Sequence, residues 1–436
     1  MGVGRMAKES PLAENKREYM LTAPMRRLIP AMAIPTIASL MINSVYNLAD
    51  TYFVSTLGTY ATGAVGVNAS IDNIIMMAGS FLAAGASSYI SRLLGATDLI
   101  VDYALDYAGY VFYAAPVMAS TFVLVHCLRA EGSSTLAMIG MGVGAVLNII
   151  LDPIFIMVFH WGVKGASAAT ALSKLVSFII LILPYLRHRT VLRLHVKNVS
   201  YTADVVPEVL RMGSPSLLRS GLSAVSAIVL NNIAAGYSES ALAAISVCNR
   251  IMMLPFAVCL GFGQGYQPVS GFSFGAKRYD RVKEAFRFAS LTSAIGLAIL
   301  SAVLFLFAPQ VIGLFTETDA QMLEIGEFCL RAQCVAMPIH AWVVVVNMLC
   351  VSRGRAISSA LLSVSRQGTC FFPVLPILLA LWDVWGVAVI QAVADGLSIL
   401  FAIPIAVKLM REVNRLAAAD GGPEPMADTA EATAPQ

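Results

Sequence analysis

Long apolar runs, each closed by charged or turn residues, organise almost the whole chain. They cover 30–54, 64–92, 104–127, 134–159, 165–186, 213–236, 241–272, 286–310, 325–350, 357–381 and 384–409. Each is near or above the roughly 20 residues that a helix needs to cross a bilayer, and none alternates with the period of a half-buried strand. The pattern predicts an all-α, polytopic membrane protein with eleven transmembrane helices. Both ends are polar. Residues 1–28 end in Arg26-Arg27 and lack the apolar core of a cleavable signal peptide, so the first helix is expected to act as its own insertion signal. The stretch from Ala417, AAADGGPEPMADTAEATAPQ, has the composition of a disordered tail. The expected organisation is a cytoplasmic tail over 1–28, an N-terminal helical lobe over 29–190, a cytoplasmic connector over 191–212, a C-terminal helical lobe over 213–412 and a disordered tail over 413–436.

Composition supports the pattern. Of 436 residues, 58% are hydrophobic and 13% charged, against about 45–50% and about 25% in soluble domains. A mean hydropathy of +0.76 excludes a soluble enzyme, a nucleic-acid binder and a disordered chain. The seven cysteines form no CxxC or Cys/His cluster and read as small apolar fillers.

The placement of charge says more than its sum. Lys and Arg collect in cytoplasmic loops. Here they gather in the N-terminal tail, in 187–211, in 277–283, at Arg353 and Arg355, and at Lys408, Arg411 and Arg415. From the sixth run onward they fall consistently on one side. In the first half they do not: five runs separate the basic tail from the basic connector, and an odd number puts the two on opposite sides.

An internal repeat addresses the conflict. Pro35 matches Pro215, and Gly95-Ala96 matches Gly275-Ala276, at an offset of 180. Thr97-Asp98 then matches Thr318-Asp319 at 221, Pro116 matches Pro338 at 222, and Trp161-Gly162 matches Trp385-Gly386 at 224. The step between Ala96 and Thr97 corresponds to about 41 residues, and its partner stretch, 277–317, holds one apolar run with its flanks. The chain reads as two pseudo-symmetric bundles, five plus six helices on a six-plus-six plan.

Several polar residues inside the runs are candidates for chemistry, because an ionisable side chain within a span is expensive and usually faces a cavity. Asp50 lies well past the midpoint of the first run. Asn148 and Asp152 are one helical turn apart on one face, and Pro153 after them removes a backbone bond and predicts a bend. Thr170 sits on the next run among alanines and Gly165, which permit close helix approach. Asp72 and Asp395 either line a cleft or sit near helix ends. Arg366 is expected to clamp structure by pairing with a carboxylate or with carbonyls. Asn43, Tyr46 and Asn47 near Asp50, together with Gln264 and Gln267, are further cleft candidates. No phosphate loop, nucleophile elbow, metal motif or catalytic cluster appears, so neither an ATP-driven pump nor a membrane enzyme is expected.

Pro35–Gly58, Leu128–Ile156 (LRAEGSSTLAMIGMGVGAVLNIILDPIFI), Trp161–Ser173 (WGVKGASAATALS) and Gly261–Val282 (GFGQGYQPVSGFSFGAKRYDRV) resemble, in that order, the multidrug and toxic compound extrusion (MATE) transporters, in their DinF-like branch. The resemblance implies two six-helix bundles around a central cleft in the cell membrane. It implies a secondary antiporter that exports organic compounds, cationic or amphipathic, against entry of H+ or Na+. It implies no cofactor, no nucleic-acid partner, a monomer in the bilayer, and small molecules as substrates. Asp50, Asn148, Asp152 and Thr170 match the family's cation-responsive network; in this chain the two aspartates are expected to share a proton or hold Na+, the only metal expected, with Asn148 and Thr170 giving neutral oxygens. The chain departs from the family by lacking the third helix. A lipid-linked precursor flippase of the same superfamily, or an inactive remnant with one helix deleted, are the alternatives.

Overall fold

The computed structural model of the chain describes residues 18–55, 116–187, 190, 205–313 and 319–419. Every regular element among the described residues is helical. After a single turn over 18–22 come α1 (Met25–Ser55), α2 (Pro116–Ala130), α3 (Ser134–Pro153), α4 (Gly162–Leu186), α5 (Val205–Tyr237) and α6 (Glu239–Gly275). Then follow α7 (Tyr279–Leu306), the short α8 (Ala308–Gly313), α9 (Ala320–Ser352), α10 (Ala356–Val364), α11 (Phe371–Leu397) and α12 (Ile399–Ala419). π-helical turns at Ile154–Val158 and Ser365–Thr369 follow α3 and α10.

Among the described residues, eight stretches are long and apolar enough to cross a membrane. The last of them, Ala356–Ala419, is two crossings. At Asp383 φ is 47° and ψ −123°, so the helix breaks there. The chain folds back so tightly that a Cβ on Gly386 would lie 2.3 Å from the Leu378 carbonyl oxygen. This break falls between the runs that end at 381 and begin at 384. Nine of the eleven apolar runs thus coincide with described helices. The run at 104–127 is described only from Pro116; the run at 64–92 and the join at Ala96–Thr97 lie outside the described residues. Outward-facing Ile295, Ile299, Leu306, Ile357 and Leu381 leave large apolar surfaces uncovered, as a lipid-facing wall requires.

Three boundaries differ from the sequence expectation. Helix α1 starts at Met25, inside the stretch assigned to the tail. Helix α5 starts at Val205, inside the expected connector. Helix α12 runs to Ala419, past the start of the expected tail at 413. The cause is visible at the end of α12. Hydropathy reports which residues sit in lipid, whereas a helix continues past the hydrocarbon wherever backbone hydrogen bonds and one buried face, here Leu409 and Val413, sustain it.

Helices α1–α4 form one bundle and α5–α12 the other. The two meet along α1 and α6, where glycines bring backbone to backbone: a Cβ on Gly261 would lie 2.8 Å from Ile37 Cα, and one on Gly265 2.4 Å from Ala33 Cα. Met20, Met25, Leu28, Ile29 and Met32 are buried in the same core as residues of α6, α7 and α9. Arg281 donates from Nη2 to the Ala23 carbonyl at 2.6 Å, which puts the start of α1 on the face of the basic loop 277–283. The turn after α2 lies there too, since the Cβ position of Gly132 is 3.6 Å from Met20 Sδ. Ser55 and Pro116 therefore both lie toward the opposite face. The run 64–92 and the start of the run 104–127 stand between them in the sequence, outside the described residues.

On that opposite face Asp319 caps α9. It accepts from the Met322 amide at 3.0 Å and from the Ser240 hydroxyl at 2.6 Å, tying the starts of α9 and α6 together. The Ser240 bond, then the Met322 bond, hold its carboxyl below the ordinary carboxylate range. A depressed folded pKa adds stability above the unfolded value of about 3.9, and that stability is lost as the pH falls through the folded value. Asp319→Ala is expected to melt below the parent at neutral pH, and the difference is expected to close under strong acid; a melting difference independent of pH would contradict this.

Candidate functional site

On α3, Gly140, Gly144, Asn148 and Asp152 recur every fourth residue and are all buried against α4. The glycines set the distance. A Cβ on Gly140 would strike Leu181 at 2.5 Å, and one on Gly144 would sit 1.7 Å from Ser177 Oγ and 3.0 Å from the Ser173 carbonyl. Helices this close leave no room for water around the next two turns. Asn148 and Thr170 are 1% exposed and Asp152 is 0% exposed. With its amide turned to suit both neighbours, Asn148 donates to Asp152 Oδ2 at 2.9 Å and accepts from the Thr170 backbone amide at 3.2 Å. In the other orientation its Nδ2 reaches Thr170 Oγ1 at 3.3 Å. The sequence-predicted trio is one buried, hydrogen-bonded cluster between two helices.

Pro153 follows, and the bend expected there takes the form of the π-turn Ile154–Val158, in which the Phe159 amide bonds back to Ile154 at 3.0 Å. On the other side of the turn, Gly165 packs its Cα against the Phe155 backbone, where a Cβ would be 2.8 Å from the carbonyl oxygen. The glycine thus lets the entry of α4 pass beside the π-turn.

Asp50 lies on α1, and its side chain is outside the described residues, as are those of Asn43, Tyr46 and Asn47 and the whole of Asp72. The backbone still gives its depth. Both α1 and α3 start at the basic face, and they touch where the Cβ position of Gly142 lies 3.5 Å from Ile42 Cδ1. Asp50 is eight residues beyond Ile42 and Asp152 ten beyond Gly142. At about 1.5 Å per residue the two levels differ by only about 3 Å.

The second bundle places its polar residues differently. Arg366, on the π-turn Ser365–Thr369, pairs with Asp395: Nε bonds Oδ1 closely and Nη2 donates to Oδ2 at 3.3 Å. Gln391 also donates to Oδ1 at 3.3 Å. The guanidinium lies 5.0 Å from the Phe256 ring centroid, and the His340 ring stacks on the same phenylalanine at 5.6 Å. This is a clamp between the helices of the last two crossings, and it involves His340, which the sequence did not single out. Gln264 accepts a hydrogen bond from Arg129 at 2.7 Å, so its oxygen is committed to a contact between the bundles. Gln267 is half-buried. Nothing in the sequence marks Arg129 as the partner, which lies 135 residues away.

Gly144→Ala is expected to lower stability by about 1–3 kcal/mol, because the added methyl must displace Ser177 and the Ser173 backbone. The melting temperature of the purified chain checks it, and an unchanged value would contradict the packing.

Comparison with known proteins agrees with this architecture. The multidrug export protein MepA of Staphylococcus aureus is 25% identical over 436 residues, covering 90% of this chain and 96% of that protein. MepA of Staphylococcus saprophyticus is 24% identical over 422 residues, covering 87% and 93%. Among solved structures, a MATE protein in complex with MaL6 superposes with a TM-score of 0.84 at 23% identity, over 92% of this chain and 99% of that one. An outward-facing multidrug resistance MATE family transporter superposes with a TM-score of 0.82 at 23% identity, over 94% and 100%. The family described as MatE matches residues 35–99 and 215–377. Its two matches begin on the repeat-related prolines, and the first stops just past the join at Ala96–Thr97. With more than half of its residues inside those two matches, the chain belongs to the MatE family.

Proposed function

We propose that the chain is a secondary exporter of organic compounds, cationic or amphipathic, coupled to inward movement of H+ or Na+ and requiring no cofactor. The observation that carries this reading is the wholly buried Asp152, hydrogen-bonded to Asn148, which in turn meets Thr170. Asn148 and Thr170 place amide and hydroxyl oxygens beside this carboxylate, a donor set that suits a proton or a sodium ion. Asp50, on the helix that touches α3 and at nearly the same level, is the second acidic residue of this reading. Loading the site changes the packing of α1, α3 and α4 and thereby the affinity for cargo. The names of the relatives support multidrug export as the activity.

One observation favours a second reading, a remnant that no longer transports. The alignment with MepA runs over 436 positions yet takes in 90% of this chain, so roughly a tenth of those positions have no counterpart here. That is the size of the step in the repeat offset. The native chain in proteoliposomes separates the two. The exporter expels a fluorescent organic cation when a proton or a sodium gradient is imposed, well above protein-free vesicles. Binding of the cation without gradient-driven efflux would overturn the exporter and leave the remnant.

A further inference from the structure

We propose that the basic end of α12 forms a binding site for the headgroup of an anionic phospholipid of the inner leaflet. A cavity of about 640 Å³ opens there, lined by Arg355, Pro404, Lys408, Arg411, Glu412 and Arg415. Residues 404, 408, 411 and 415 recur at helical spacing and so form one stripe along α12. Glu412 does not cancel the charge, because it pairs with Arg355 and lies 3.6 Å from Arg353 Nη2. Arg353 in turn donates to the Leu409 carbonyl at 2.9 Å and stacks over Phe274 at 4.7 Å, which ties α12 to the end of α9 and to α6 beside the cavity. Lys408, Arg411 and Arg415 are exposed, and among the described residues none is held by an ion pair or hydrogen bond. Three cations therefore face one cavity without a fixed counter-charge.

The same stripe continues into the bilayer as apolar surface: Leu400 is 63%, Ile403 47% and Val407 43% exposed. From Leu400 to Arg411 is eleven residues, about 16 Å of helix, which matches half of a hydrocarbon core about 30 Å thick. A ligand that fills the whole stripe needs apolar chains of one leaflet's depth below an anionic group. That is a phospholipid, and a free phosphate would use only the upper part. Basic pockets at the cytoplasmic end of membrane helices suit such headgroups.

The test measures binding of phosphatidylglycerol to the full-length protein by native mass spectrometry, with phosphatidylcholine as reference. Each basic side chain near an anionic surface is worth about fivefold in affinity, so Lys408→Gln with Arg411→Gln and Arg415→Gln is expected to lose about 100-fold. Lys277→Gln with Arg278→Gln and Lys283→Gln removes the same charge from the same face outside the cavity and is expected to leave binding unchanged. The charge-preserving Lys408→Arg with Arg411→Lys and Arg415→Lys is expected to bind as the parent does, which keeps the test decisive if the neutral variant fails to fold. Equal losses in both neutralised variants, loss in the charge-preserving one, or full displacement of the lipid by inorganic phosphate would each overturn the proposal.

Discussion

Asp395→Asn is expected to destabilise the folded chain by about 3–5 kcal/mol, the usual cost of leaving one member of a buried ion pair alone. The Arg366 guanidinium has its charge answered by Asp395 from α11 and spreads its face over Phe256. Without the carboxylate it would remain between two crossings with Gln391, His340, Arg219 and the aromatic face nearby. None of these supplies a negative charge. Removing both charges together, as Arg366→Met with Asp395→Leu, is expected to recover most of the loss, because well-packed apolar side chains replace a buried pair at little net cost. Thermal melting of the parent, the single and the double variant in one detergent checks this. A single variant as stable as the parent would show that the pair clamps nothing.

Gly265→Leu is the second large effect. A Cβ at Gly265 would lie 2.4 Å from Ala33 Cα and 2.6 Å from its amide nitrogen, atoms of the α1 backbone that no rotamer change can move. Four residues earlier, Gly261 makes the same demand at Ile37. Two glycines at this spacing let helices approach to backbone distance. A leucine there must push α1 from α6, and with it one bundle from the other. Overpacking costs about 1–3 kcal/mol where the structure cannot yield. Here yielding is a rigid-body opening, which would strain the Arg129–Gln264 and Arg281–Ala23 bonds on the same face. Spin labels at Thr22 and Lys277, both exposed on that face, are expected to report a longer distance in Gly265→Leu than in the parent. An unchanged distance together with unchanged melting would contradict a close-packed seam.

Much of this arrangement is legible one residue type at a time. Apolar runs mark the crossings because lipid has to be met by apolar surface, and even the break at Asp383 falls in the two-residue gap between adjacent runs. The Asn148–Asp152–Thr170 cluster is also legible, since one turn of one helix and the small-residue entry of the next bring these groups together by local geometry. The contacts between bundles are not. Arg129 meets Gln264, and His340 meets Phe256, only because two distant helices pack at a particular angle, and no spacing rule reaches across 135 residues. The helix ends at Met25, Val205 and Ala419 escaped for another reason: backbone hydrogen bonding continues where hydropathy has already fallen.

Cargo and coupling cation are expected to compete through Asp152. The most direct measurement is the affinity of the purified chain for an organic cation, titrated across pH and across sodium concentration. By linkage, a cation that weakens cargo binding must itself be bound more weakly when cargo is present. The parent is expected to bind cargo less tightly as the coupling cation, H+ or Na+, is raised. Asp152→Asn, nearly identical in shape and without the charge, is expected to give an affinity independent of both. The same dependence in the variant as in the parent would place coupling elsewhere and contradict the account.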